Sequence, residues 1–458
     1  MKKPKLLILG IVAVVLFAAY FAVTAISEAR SAKDGDNITT ESSIAQIGAD
    51  SIVQISYNYR DNDIVLVRQG DIWEYAADPA FPLDQTKVNS MLSSVENIKA
   101  RGTLTEPADL SEYGLDKPQC AITLKAEDGS AHTIDIGNFN NLTESYYLVM
   151  DGNVGTLWFV DRTLLVAYGK TLDELLEAET LPAMAEIAEV KVESEDKTFA
   201  LEHISKDSGD SYLTGTEWVL SADGEKKSLD TDKAEDVYEL ITKLVWESCA
   251  DYNAKDEDLK QYGLDDPWIT ATVRYNGADG EKELGILIGD ASGKSNYAMI
   301  KGSNMVYLIK DSVASDLLGA KYDDMRPKKI CNIDTGTITS IDLGVSSKTA
   351  SLSLDTDNEG NKVYRLNGSV IDTEKAETVI THLTDMEYRK ITDDGNTSSD
   401  AVLTVKINRS TDTFKSLKYV FYDYDSEYYL AELPDGEARL LIEAARITEL
   451  LDDIVNLY

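Results

Sequence analysis

The sequence predicts an α+β protein: three tandem repeats of antiparallel sheet plus packed helix, behind an N-terminal transmembrane helix. Three observations lead there. One helical pattern occurs three times. Leu83-Asp84, Lys87-Val88, Met91-Leu92, Val95 and Ile98 recur as Leu229-Asp230, Lys233-Ala234, Val237-Tyr238, Ile241 and Leu244. They recur again as Ile371-Asp372, Lys375-Ala376, Val379-Ile380, Leu383 and Met386, the copies starting 146 and 142 residues apart. Alternating apolar and polar segments flank each copy, and an uncharged run of 18 residues, Leu6–Val23, stands near the start.

A chain of 458 residues holds about three domains of roughly 100–150 residues. The spacing is too wide for a solenoid, whose repeats run about 20–50 residues. The expected divisions are a basic flank and anchor at 1–27, a flexible linker at 28–50, and units at 51–182, 183–325 and 326–458, the last divergent.

At the N-terminus Lys2, Lys3 and Lys5 precede the apolar run. At about 1.5 Å per residue the run nearly crosses a bilayer core of about 30 Å. The basic flank stays cytoplasmic, which places the bulk outside as a single-pass protein of the cytoplasmic membrane. A cleaved signal peptide is the alternative, since Val23-Thr24-Ala25 offers small residues, but the run exceeds the roughly 7–15 residues of a signal core. The Ser-, Asp- and Thr-rich stretch that follows reads as a tether.

Each unit opens with strands. They are Ile52–Tyr59, Ile64–Arg68 and Ile72–Tyr75; then Glu189–Val192, Thr198–Ile204 and Trp218–Leu220; then Ile338–Leu343, Ala350–Leu354 and Val363–Leu366. Their alternation and β-branched content mark one-sided antiparallel strands. Trp73, Trp218 and Tyr364 stand just before the helices as buried anchors. Asp84, Asp230 and Asp372 cap the helices, and apolar positions at i, i+3, i+4, i+7 and i+10 form one face for the sheet.

Next comes Asp109-Leu110-x-x-Tyr113-Gly114-Leu115-Asp116-x-Pro118, matched by Asp258-Leu259-x-x-Tyr262-Gly263-Leu264-Asp265-x-Pro267. It reads as one helical turn, capped by Asp and closed by a left-handed Gly, with Leu115 folding back onto Leu110 and Pro leading into a strand. The third unit lacks it and carries Asp393-Asp394-Gly395-Asn396 instead. A meander then closes each unit, with hairpin turns at Asp128-Gly129, Asp151-Gly152, Asp279-Gly280 and Asp435-Gly436.

The unit order, Trp73 and Trp218, and the Tyr113–Pro118 and Tyr262–Pro267 elements resemble the bacterial family known as domain of unknown function 4340. The likeness covers most of residues 51–320. It implies a membrane-anchored surface protein of the kind often encoded beside ABC-type permeases, and it transfers no catalytic residue.

The formal charge of −37, from 81 acidic and 44 basic residues, argues against nucleic acid, which needs clustered Lys and Arg. Gly289–Ser295 has three residues between its glycines where a phosphate loop needs four, and it reads as a hairpin loop. Asp355-x-Asp357-x-Glu359-Gly360 begins like a calcium loop, but position twelve is Leu366, so it reads as a polar turn. His132, His203 and His382 lie in different units without ligand spacing, with His382 on an outward helix face. Cys120 takes the place of Ile269 and reads as a small buried hydrophobe. Neither metal, cofactor nor enzyme chemistry is expected.

Tyrosine is abundant, at 24 residues, and Tyr147, Tyr297 and Tyr428 on the meanders are the candidate interaction surface. The expected function is a noncatalytic accessory or scaffold protein whose envelope partner is an ABC-type permease. A cell-wall glycan or peptide binding module is the alternative, and an envelope-polymer hydrolase stands third.

Overall fold

A computed structural model describes residues 41–205, 209–345, 348–397 and 400–458, which divide into two compact units, Met1–Ala178 and Glu179–Tyr458. The run Leu6–Val23 lies outside the described residues, and among those described no helix is long and apolar enough to cross a membrane.

In the first unit the alternation of residues 52–75 becomes β2 (Ile52–Tyr59), β3 (Asn62–Gln69) and β4 (Ile72–Tyr75). The meander is β7 (Cys120–Ala126), β8 (Ala131–Asn140), β9 (Ser145–Met150) and β10 (Thr156–Val160). With β6 (Gly102–Thr105) they form an antiparallel sheet in the order β4-β3-β2-β7-β8-β9-β10-β6. Inward residues such as Ile55, Leu66, Ile122, Leu124 and Ile134 are fully or almost fully buried. Helix α1 (Gln85–Val95) buries Val88, Met91, Leu92 and Val95, and Asp84 accepts from the Thr86 and Lys87 amides at 2.9 and 3.2 Å. Helix α2 (Thr163–Tyr168) lies beside it, with the Tyr168 hydroxyl donating to the Met91 carbonyl at 3.1 Å.

Residues 41–50 depart from the expected tether. Strand β1 (Ser42–Ala45) pairs with β5 (Ile98–Ala100), and Ile47 is buried with its amide donating to the Val95 carbonyl. Ile44, Ala45 and Ile47 supply enough apolar surface to dock this end of the polar stretch, which composition alone hides.

The second unit holds two further sheets. One comprises β11 (Glu186–Ser194), β12 (Thr198–His203), β13 (Trp218–Ala222), β14 (Glu225–Ser228), β15 (Ser248–Asp251), β16 (Ile269–Gly277), β17 (Gly280–Ser292), β18 (Ser295–Ile300) and β19 (Val306–Lys310). Its order is β14-β13-β12-β11-β16-β17-β18-β19-β15. The other comprises β20 (Ile338–Val345), β21 (Lys348–Thr356), β22 (Lys362–Leu366), β23 (Ser369–Val370), β24 (Lys390–Ile391), β25 (Ala401–Arg409), β26 (Ser416–Asp423), β27 (Tyr428–Glu432) and β28 (Ala438–Glu443), ordered β23-β22-β21-β20-β25-β26-β27-β28-β24. Apart from the added edge strands β14 and β23, both repeat the order of the first sheet.

Helices α3 (Thr231–Thr242), α4 (Asp311–Gly319) and the one-turn α5 (Tyr322–Met325) serve the second sheet; α6 (Thr373–Thr384) and α7 (Ala444–Asn456) serve the third. Asp230 accepts from the Lys233 amide at 3.2 Å and Asp372 from the Glu374 amide at 2.8 Å, so the same cap opens each principal helix. Each principal helix crosses its sheet. The chain enters it from one edge and leaves into β6, β15 or β24 at the other edge. These short edge strands carry too little alternation to be read from sequence. His382 does not face open solvent: α7 packs beside α6 and sets Asp453 2.6 Å from its Nδ1.

Candidate binding surfaces

The Tyr-Gly-Leu-Asp-x-Pro element covers the sheet face opposite the helices. Residues Leu110–Tyr113 form a 3₁₀ turn capped by Asp109, whose carboxylate accepts from the Ser111 amide at 2.9 Å; those bonds hold its pKa below the usual range. Gly114 closes the turn at φ 66°, and the Leu115 amide reaches back to the Leu110 carbonyl at 3.0 Å. Leu259–Tyr262, Gly263 at φ 65° and Leu264 repeat this, except that Asp258 accepts from the Lys255 amide rather than capping the turn. Both turns sit on a second glycine. A Cβ at Gly137 or Gly289 would overlap the Tyr113 or Tyr262 carbonyl oxygen, so the phosphate-loop look-alike is the floor of this turn. Ala291↔Asn296 and Ser292↔Ser295 pairing makes it a hairpin.

Tyr147 and Tyr297 occupy equivalent places beneath these turns. The Tyr147 ring lies 4.8 Å from Tyr113, and its hydroxyl accepts from the Asn140 amide at 2.7 Å. The Tyr297 ring lies 4.9 Å from Tyr262 in a small apolar cluster with Leu264, Met299 and Val306. Burial first, then the hydrogen bond from its hydroxyl to Asp251, pushes the Tyr262 pKa up to about 12. Tyr428 is half-buried beneath Lys390, whose Nζ lies 4.4 Å from the ring centre. Tyr147, Tyr297 and Tyr428 lie on β9, β18 and β27, one in the meander of each sheet.

A cleft that sequence reasoning missed opens beside Trp218. It measures about 840 Å³ and runs between α3 and the approach to β11. Trp218 and Tyr238 form its aromatic wall, their centroids 4.9 Å apart, and His203 meets Trp218 edge-on at 5.2 Å. Met184 and Ile187 line it as well, with Glu217, Glu235 and the Glu239–Lys243 ion pair around the mouth. Burial, then the Glu235 charge and hydrogen bond, pushes the Tyr238 pKa up to about 12. The signal was present in the repeat: Tyr238 stands where the other helices carry Leu92 and Ile380, with acids at 235 and 239. An aromatic wall facing apolar side chains, with carboxylates nearby, suits a sugar ring or a peptide side chain.

The second and third sheets are joined by a buried ionic node. Arg326, its side chain 2% exposed, donates to both Glu437 oxygens at 2.7 and 2.8 Å and lies 3.2 Å from Asp323. Its guanidinium sits 4.5 Å from the Tyr322 ring centre, and Arg439 extends the network to Asp323 at 3.0 Å and Asp393 at 3.1 Å. Beside it, Thr214 and Asn332 exchange hydrogen bonds at 2.6 and 2.9 Å, and the Asp230 amide donates to the Met325 carbonyl at 2.8 Å.

The remaining polar motifs serve structure. Asp357 accepts from the Glu359 and Asn361 amides at 2.8 and 2.9 Å and closes the β21–β22 turn. Among the described residues no group of three or more His, Cys, Asp and Glu is placed to hold a metal ion. Cys120 is fully buried, and burial pushes its thiol up to about 12.

Comparison with curated proteins and with solved structures returned no match. The model of one family matches twice, over residues 73–253 and 218–404, and each match opens on the tryptophan before a principal helix. Each therefore runs from one principal helix through the meander and the opening strands of the next sheet to beyond the next principal helix. The chain belongs to this family, the domain of unknown function DUF4340.

Proposed function

We propose that this chain is a noncatalytic extracytoplasmic accessory protein that presents three tandem α+β units as a scaffold to an ABC-type transport system. Residues 6–23 anchor it in the cytoplasmic membrane with the N-terminus inside. The observation that carries the scaffold reading is the Arg326 node, which ties the second sheet to the third so that they present a joint surface. The recurrence of one strand order in three sheets supports duplication of a display module rather than elaboration around one reaction centre. The anchor rests on the apolar run and its basic flank, and the transporter partner on the family's character.

Affinity purification of the tagged, membrane-extracted chain tests this. Recovery of a permease and its ATPase is expected; clean isolation without them, together with binding of the extracytoplasmic region to purified cell wall, would overturn it. Protease added to protoplasts should remove the bulk domain, and its survival there would refute the topology. The Trp218–Tyr238 cleft favours a second reading, a cell-wall glycan or peptide binding module, for which substitution of Tyr238 would abolish wall binding.

A further inference from the structure

Equivalent positions of the first and second sheets can be compared within this one chain. In the first, Tyr59 pairs with Cys120; in the second, Ser194 pairs with Ile269. The corner of each sheet beside the Tyr-Gly-Leu turn therefore comprises Asn58, Arg60, Lys117, Gln119 and Asn138 in the first and Glu193, Glu195, Asp266, Trp268 and Asp290 in the second. Two cations have given way to four carboxylates, and a glutamine to tryptophan.

The exchange changes what the corner does. Gln119 is tied down, its amide donating to the Gly137 carbonyl, and Arg60 lies over the Tyr59 ring at 5.0 Å. Trp268 is 48% exposed, and its indole N–H has no acceptor among the described residues. It lines a recess of about 730 Å³ with Pro267, Thr270 and the four carboxylates, and no basic side chain lines it. Nearby cations are already engaged: Lys191 is paired with Glu193 at 2.6 Å, and Lys197, whose backbone bonds Ser194, donates its Nζ to the Leu318 carbonyl at 3.1 Å. A large aromatic left in water is the residue type that dominates interface energies, and an indole face ringed by anions attracts a cation more than either feature alone.

We propose that the Trp268 recess docks a basic segment of a partner protein, with a lysine or arginine head over the indole and its neighbours paired to Glu195, Asp266 and Asp290. This rests on the scaffold reading and names the chemistry of its partner. Charge complementarity selects that occupant over a neutral glycan, and the basic first corner, Arg60 and Lys117, lacks the recess chemistry to compete.

The test uses the full chain in detergent and a fluorescent oligo-arginine peptide at about 0.15 M salt, where diffuse attraction to the acidic chain is screened. Trp268→Ala leaves the net charge unchanged, so only a docking role for the ring weakens binding. The expected losses are about tenfold for Trp268→Ala, little for Trp268→Phe, and a similar loss for Asp266→Asn with Asp290→Asn. Unchanged affinity in Trp268→Ala would overturn the proposal, as would Trp268-dependent binding of neutral wall oligosaccharides or Trp268-dependent self-association. Permease recovery with wild type and equally with Trp268→Ala would leave the scaffold reading standing and remove this site from it. An unaltered thermal transition in Trp268→Ala, expected for so exposed a residue, confirms that folding is not what is measured.

Discussion

Replacing Arg326 by Met is the sharpest available perturbation of the joint between the second and third sheets. Removing one partner of a buried ion pair costs about 3–5 kcal/mol, because the other charge is left in a poor solvent. Here the lower end applies. The Glu437 side chain keeps 15% exposure and Asp323 28%, and Arg439 remains 3.8 Å from Glu437 to take part of its charge. Arg326 also brings a buried Nε without a hydrogen-bond partner, which Met abolishes. A loss of about 3 kcal/mol corresponds to ~6 °C for a body of this size. Calorimetry of the full chain, with peptide-resolved hydrogen exchange, should show that loss in Glu179–Tyr458 and no change in residues 41–178. Adding Glu437→Gln should restore stability, since a neutral amide tolerates the apolar neighbour better than a carboxylate does. A change below about 1 kcal/mol in Arg326→Met, or a double substitution as unstable as the two single losses summed, would refute the node as the joint.

Three further outcomes follow from the packing. Leu92→Asp would place an unpaired charge in the face that α1 buries and should unfold the first unit while the second keeps its transition, as read by hydrogen exchange. Gly289→Ala would drive a Cβ into the Tyr262 carbonyl oxygen and should cost about 2–4 kcal/mol in urea unfolding, whereas Gly293→Ala, with open space beside it, should cost only the strain of its positive φ. Burial pushes the thiols of Cys120 and Cys331 from 9.0 to about 12, so the unfolded chain loses these protons first as pH rises. Stability conferred by the protonated thiols is complete below about pH 9 and falls by roughly 1.4 kcal/mol per pH unit per thiol between 9 and 12. Cys→Ala variants should flatten that alkaline slope, and neither thiol should react with a disulfide reagent before unfolding.

The principal helices, their aspartate caps and the central strands were legible because burial on one face imposes a period that survives divergence. Val88, Met91, Leu92 and Val95 align with Ala376, Val379, Ile380 and Leu383, and all eight are buried. The short edge strands β6, β15 and β24 were not legible, because two to four residues paired on one side need little alternation. The docking of residues 42–47 was hidden by polar composition, and the pairing of His382 with Asp453 depends on α7, more than sixty residues away. Nor did composition distinguish the half-buried Tyr147 and Tyr297 from an open surface. Their rings pack against Tyr113 and Tyr262 of the motif turns, a contact that no strand periodicity reports.

The triplication does more than fix the fold: it supplies comparisons that a single domain lacks. Positions that hold the sheet together stay apolar in each unit, as Trp73, Trp218 and Tyr364 do before the helices. Positions that differ in chemistry while the backbone around them stays the same are where a unit has been adapted. Tyr238 against Leu92 and Ile380, and Trp268 against Gln119, are two such positions, and both fall in the second unit. Tyr238 still packs on the core beside Trp218, whereas Trp268 is a large exposed ring that costs solubility without adding core. The second sheet is the one tied through Arg326 to the third, so a ligand gripped there pulls on a joint body and not on a lone sheet. If that coupling matters, the Arg326→Met chain should retain peptide affinity at the Trp268 recess and yet recover less permease, separating contact from mechanical support. Equal recovery from both chains would assign the node to stability alone.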